Sequence, residues 1–169
     1  ALDNPQLYFA VIITVVISIV LHELAHGWAA ISRGDRTPIE LGHMTGNPLV
    51  HMGGFSLVML FIFGIAWGAM PVDPSRMRGK YADAFVSIAG PAMNLLLAIF
   101  AIALLGLLYR FGILGNPADD SQVKENLTVL LRVFGIWNLV LMLFNLLPVP
   151  PLDGSRILGD FVPAYRDFM

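Results

Sequence analysis

At 169 residues the chain has the length of one domain, but 57% hydrophobic and only 13% charged residues exclude an ordinary water-soluble core and make lipid the expected solvent. A formal net charge of −2 without any basic cluster excludes nucleic acid as a partner. The absence of cysteine excludes disulfides, iron–sulfur clusters and thiolate zinc sites, so a metal could be held only by His, Asp or Glu.

Apolar runs occupy 7–21, 55–70, 84–108 and 127–147, nearly free of charge and mostly long enough for a bilayer core. Soluble helices show a polar stripe every 3.6 residues, and 92–108 shows none. The first run lacks the basic start and small-residue cleavage site of a removable signal peptide. Polar, turn-rich stretches at 32–54, 71–83, 109–126 and from 148 onward read as loops, and no repeat or low-complexity segment interrupts them. The prediction is an all-α polytopic membrane protein, a single membrane-embedded core over 1–169. Its crossings fall at about 5–31, 83–109 and 127–147, with a re-entrant or membrane-embedded segment at about 42–70 that has room for short β-strands. With no initial Met and no evident stop signal after Asp167-Phe168-Met169, trimming at both ends is expected.

The chemistry is concentrated in His22-Glu23-Leu24-Ala25-His26, an H-E-x-x-H pattern inside the first apolar run. A spacing of four residues stacks both imidazoles on one helix face, where they can share a tetrahedral zinc, with Glu23 beside its open position as general base. Ionisable groups inside a membrane helix cost on the order of a few kcal/mol each, so they need a metal or a polar cavity. The bland reading is a helix end with interfacial histidines. A catalytic zinc takes three protein ligands. The best third candidate is Asp153 in Asn145-Leu-Leu-Pro-Val-Pro-Pro-Leu-Asp153-Gly154, where three prolines break the preceding helix. Irregular backbone at membrane depth is tolerated only when it is buried in protein or lines a watery cavity. The competing reading is an exit loop with an Asp-Gly turn.

These residues resemble the site-2 protease family of intramembrane zinc metalloproteases. The likeness rests on H-E-L-A-H in the first core helix, Gly90-Pro91-Ala92-Met93-Asn94 opening the middle one, and Asn145 eight residues before Asp153 at the end of the last. Asn47-Pro48-Leu49-Val50-His51 and Gly68-Ala69-Met70-Pro71-Val72 look like the connecting region of the family's compact members, those without a PDZ domain. Met70 departs from the pattern, because many compact members carry lysine there. Related proteins also often continue into a further helix. The resemblance implies one zinc per chain on His22, His26 and Asp153, Glu23 activating water, and Asn145 steadying substrate or oxyanion. An amide donor aimed at an oxyanion in a water-poor cavity would suit that role, and helix–helix hydrogen bonding is the alternative for Asn145. Asn94 and Asn138 are assigned to helix–helix bonding. His43 and His51 are expected to be polar loop residues, and Met52, Met59, Met70, Phe55, Phe61, Phe63 and Trp67 to be lipid-facing or packing groups.

The expected reaction is hydrolysis of peptide bonds in or near transmembrane segments of a substrate protein. A helical substrate would unwind and pair as a strand with the segment between 32 and 54. The rival readings are a divalent-metal transporter, which has no need of Glu23, and an inactive scaffold, which has no need of an intact motif. The two motifs can meet only if the first and last helices run parallel. That requires three crossings and a segment 55–70 that turns back. Three crossings put Arg33, Arg36, Arg76, Arg78, Lys80, Arg156 and Arg166 on one face against Arg110, Lys124 and Arg132 on the other. The positive-inside rule then opens the site to the cytoplasm, in the cell membrane. Oligomeric state is not readable from the chain.

Overall fold

The computed structural model describes residues 4–115 and 121–166; residues 116–120 of the predicted outer loop and the terminal Asp167-Phe168-Met169 lie outside them. The helices come in the order α1 Pro5–Ser32, α2 Thr37–Glu40, α3 Pro48–Phe63, α4 Ala82–Arg110, α5 Gln122–Asn145, α6 Asp153–Phe161 and α7 Pro163–Arg166. Among the described residues α1, α4 and α5 are long and apolar enough to cross a membrane, and the protein is an integral membrane protein. No strand occurs among the described residues, so the room left for short β-strands is not used. The supposed loop from 148 onward is also partly helical, because α6 restarts immediately after the proline run.

The starts of the helices are written locally. Asn4 and Asn47 each precede a proline and accept the backbone N–H of Leu7 and Leu49, so cap and fixed φ coincide. α5 ends at Asn145, before Pro148 can break it. α3 ends on Gly64, whose left-handed φ of 71° suits glycine.

α3 and the irregular stretch 65–73 form a hairpin. Sixteen residues of helix are about 24 Å long, short of a hydrocarbon core of about 30 Å, and Gly53 kinks the helix at φ 70°. α3 runs back along α1: Met52 and Leu60 pack with Ile12, Val15 and Ile19, and the Tyr8 hydroxyl donates to Phe61 O at 2.7 Å. Residues 65–73 then return beside α3. Ser56 Oγ donates to Trp67 O at 2.8 Å and accepts from Trp67 N–H at 2.9 Å, and Ala69 N–H donates to His51 O at 2.9 Å. The return ends where the excursion began, with Asp73 N–H on Asp35 at 2.7 Å and Arg78 N–H on Arg33 O at 2.7 Å. The stretch between 32 and 54, expected to offer an extended edge, instead holds α2 and the first turns of α3.

Asp35 closes this loop. It is fully buried, and its carboxylate accepts from Thr37 N–H at 2.9 Å and the Thr37 hydroxyl at 2.5 Å as well as from Asp73. Burial pushes its pKa up, but these donors and the nearby Arg76 charge outweigh it, leaving the carboxyl below its ordinary 3.8. A depressed folded pKa contributes stability that is complete above the unfolded value and is lost as pH falls through the folded one. We expect Asp35→Ala to cost about 2 kcal/mol, from orphaned, partly buried donors on Thr37 and Asp73, and to remove this acid-dependent component. Thermal unfolding in detergent across neutral and acid pH measures both.

Candidate active site

The H-E-x-x-H residues lie in the C-terminal half of α1, where His22, Glu23 and His26 are each less than a tenth exposed. Four-residue spacing brings the rings to 4.6 Å between centroids, with Nε2 atoms 3.0 Å apart. Asp153, at the start of α6, completes the group: Oδ2 stands 3.1 Å from His22 Nε2 and Oδ1 3.3 Å from His26 Nε2. Donors at about 2.1 Å from a tetrahedral zinc lie about 3.4 Å from one another, so these separations of 3.0 to 3.3 Å are close to what the ion takes.

Two further observations test the fit. His26 Nδ1 donates to Val86 O and His22 Nδ1 to Asn94 Oδ1, both at 2.7 Å. Neutral imidazoles held this way turn both Nε2 lone pairs on the Asp153 carboxylate, an arrangement that a shared cation relieves. The Asp153 Oδ2 is buried without a hydrogen-bond partner, as that arrangement leaves it. The second observation is the space left by Gly90. A Cβ there would collide with both Nε2 atoms, filling the position where the donors converge. Zinc therefore fits His22, His26 and Asp153.

Sequence reasoning missed how α4 holds the pair. Val86, Gly90 and Asn94 recur at intervals of four and present a carbonyl, a gap and an amide to α1. The spacing alone is no signal of this, because any buried helical stripe shows the same. Asn94 does bond Asn138 across α4 and α5, at 3.3 Å, as helix–helix bonding requires, but it also serves His22. α6 is docked on the start of α4, where Arg156 meets Asp83 at 2.6 Å and Asp160 accepts Ala84 N–H at 2.9 Å. Both contacts fix where Asp153 can reach.

A cavity of about 480 Å³ opens on the site, walled by Ile19, Glu23, residues 66–70, Leu141, Phe144 and Asn145. Gly68 lies so close to Glu23 and Ile19 that a Cβ would come within 2.8 Å of Glu23 Oε1. Asn145 is on the wall, its Nδ2 donating to Leu141 O at 3.0 Å within its own helix. Met70 lines the cavity and packs with Met44 over Gly27. His51 is not a loop residue: it is buried in α3 with Nε2 on Thr45 O at 2.7 Å, and neither it nor His43 joins the three-residue group. Phe55, Phe61, Phe63 and Trp67 are exposed as lipid-facing groups are, whereas Met52 is core.

A membrane-embedded H-E-x-x-H plus aspartate centre defines a class, and sequence comparison gives the same one. The family model described as Peptidase family M50 matches residues 10–123 and 111–168. The chain belongs to this family, the site-2 protease family of intramembrane zinc metalloproteases. It is 40% identical to YwhC of Bacillus subtilis (strain 168) over 158 residues, covering 90% of this chain and 68% of that one. It is 31% identical to Rip2 of Mycolicibacterium smegmatis (89% and 58% covered) and 29% identical to MJ0392 of Methanocaldococcus jannaschii (92% and 35%). MJ0392 is named a zinc metalloprotease, and the other two carry that name provisionally. The chain thus spans from about a third to two thirds of these relatives' lengths. No solved structure matches the chain significantly.

Gly90→Ala should take zinc from about one per chain to near none while helical content is kept, since the new methyl occupies the donors' meeting point. Asp153→Ala should retain metal but release it readily to chelators, because two histidines alone remain. Metal analysis beside circular dichroism checks both variants.

Proposed function

We propose that this chain hydrolyses peptide bonds in or near transmembrane segments of substrate proteins. The observation that carries this reading is the convergence of His22, His26, Asp153 and Glu23 on one cavity between apolar helices. Zinc held by the two histidines and Asp153 supplies Lewis acidity towards water and the scissile carbonyl. Glu23, on the cavity wall, accepts the proton of the attacking water and returns it to the leaving amine. Asn145 is the donor for the developing oxyanion, after its amide leaves the Leu141 carbonyl. A transit site for metal would give Glu23 no such work.

The peptide being cut lies along residues 66–70, which form the cavity wall over Glu23, instead of along 32–54. An unwound substrate there exposes its carbonyl to the site and pairs its backbone with the wall.

For topology, we infer three crossings with α3 and 65–73 re-entering from the face that holds Arg33 and Arg78. The bond between those two residues supports this reading, as do the seven positive charges on that face against three on the other. The rule of positive loops makes it the cytoplasmic face of the cell membrane, towards which the site opens.

Glu23→Gln should keep stoichiometric zinc and lose cleavage of a transmembrane peptide in detergent by at least about a hundredfold; a variant that binds zinc and still cleaves would remove the base role. In the cysteine-free chain, Ser32→Cys and Ser75→Cys should both resist an impermeant thiol reagent in intact cells while Ser121→Cys reacts. Labelling of Ser32→Cys and Ser75→Cys from opposite faces would defeat the three-crossing arrangement.

A further inference from the structure

Both ligand histidines need the same tautomer. A neutral imidazole has one proton, and Nε2 offers its lone pair to a cation only when that proton is on Nδ1. For His26 the Val86 carbonyl settles the matter, because a carbonyl only accepts. His22 has no such guarantee. Its partner is the Asn94 side chain, and an amide turned by half a revolution would present NH₂ in place of oxygen. His22 would then carry its proton on Nε2 and be closed to metal.

The direction is set elsewhere in the bundle. Asn94 Nδ2 donates to Asn138 Oδ1 at 3.3 Å, but Asn138 is also an amide and could turn in step. Its own Nδ2 donates to Ser18 Oγ and to Phe134 O, each at 2.9 Å. The Ser18 hydroxyl can accept or donate and fixes nothing. The Phe134 carbonyl can only accept, so the NH₂ of Asn138 must face it and the oxygen must face Asn94. Asn94 then points NH₂ at Asn138 and oxygen at His22. Asn94, Asn138 and Ser18 are at most 1% exposed, so no bulk water can substitute with the other polarity.

We propose that Asn94 and Asn138 are positioning residues that carry the polarity of the Phe134 carbonyl to His22 and hold its Nε2 lone pair open to zinc. This rests on His22 being a zinc ligand. Outer partners of metal-bound histidines are commonly worth 10- to 100-fold in metal affinity. This relay differs in fixing a direction as well as supplying a contact.

The test combines the tautomer of His22, read by ¹⁵N NMR on detergent-solubilised, metal-free chain in mildly alkaline buffer, with zinc affinity by chelator competition. The parent should show the Nδ1–H form. Asn138→Leu should give mixed tautomers and zinc affinity about 10- to 100-fold weaker, and Asn138→Ala carries the same reading if the leucine variant does not fold. Adding Asn94→Asp should restore the Nδ1–H form and most of the affinity, because a carboxylate accepts whichever way it is turned. An unchanged tautomer after loss of Asn138, or a double variant as weak as the single, would reduce the pair to packing and overturn the relay. A parent that binds no zinc would overturn the metal site instead, and the tautomer would still judge the relay.

Discussion

Two imidazole lone pairs and a carboxylate meet within 3.3 Å inside a bundle of apolar helices, and most of the fold can be understood as what permits that meeting. In water such groups would be hydrated separately; between lipid-facing helices each must have a partner or a cation. α4 supplies the partners on one side and must come very close to do so, which is why the residue facing both Nε2 atoms is glycine. Asp153 comes from a separate helix and is aimed by the way α6 is fastened to the beginning of α4. Gly154 lets that fastening occur, since any side chain there would strike the Leu146 and Leu147 carbonyls.

The hairpin of α3 and 65–73 solves a different problem. Three helices alone would leave Glu23 open to lipid on the side away from α4, and hydrolysis needs water there. The return stretch covers that side, held by the Ser56 hydroxyl, the His51 carbonyl and the Asp35 carboxylate. Irregular backbone is stable away from bulk water only if its polar groups are satisfied by protein or face a cavity, and this stretch does both. The hairpin's outer residues Phe55, Phe61, Ile62 and Phe63 remain exposed, which is ordinary for a surface that faces acyl chains.

What the sequence disclosed came from local geometry. The two histidines were legible because four-residue spacing needs only a helix, and Asp153 because prolines mark where backbone must leave one. The three long apolar helices were legible from length alone, although α5 begins at Gln122, in a stretch too polar to read as membrane. The missing information was between helices. Nothing within α4 says that Val86, Gly90 and Asn94 face His22 and His26, since spacing of four also describes any buried stripe. The hairpin misled for a related reason: the polar, turn-rich composition of 32–54 suggested a loop with an extended edge, whereas capping by Asn47 and Pro48 had already committed the chain to helix. His51 read as a loop residue on the same error.

Asn145 shows how the resting geometry and the proposed chemistry are reconciled. Its amide bonds the Leu141 carbonyl, an oxygen that the helical ladder also uses, so the side-chain bond is a second one on a shared acceptor. Releasing it leaves no backbone group unpaired. By contrast, Asn138 sits fully buried with donors on two separate oxygens, and turning it would orphan buried groups. Two asparagines in the same helix, seven residues apart, are therefore held with different firmness. The buried one is fixed by its surroundings and suits a permanent structural direction. The one on the cavity wall is lightly held and suits a group that must move to meet charge as it develops.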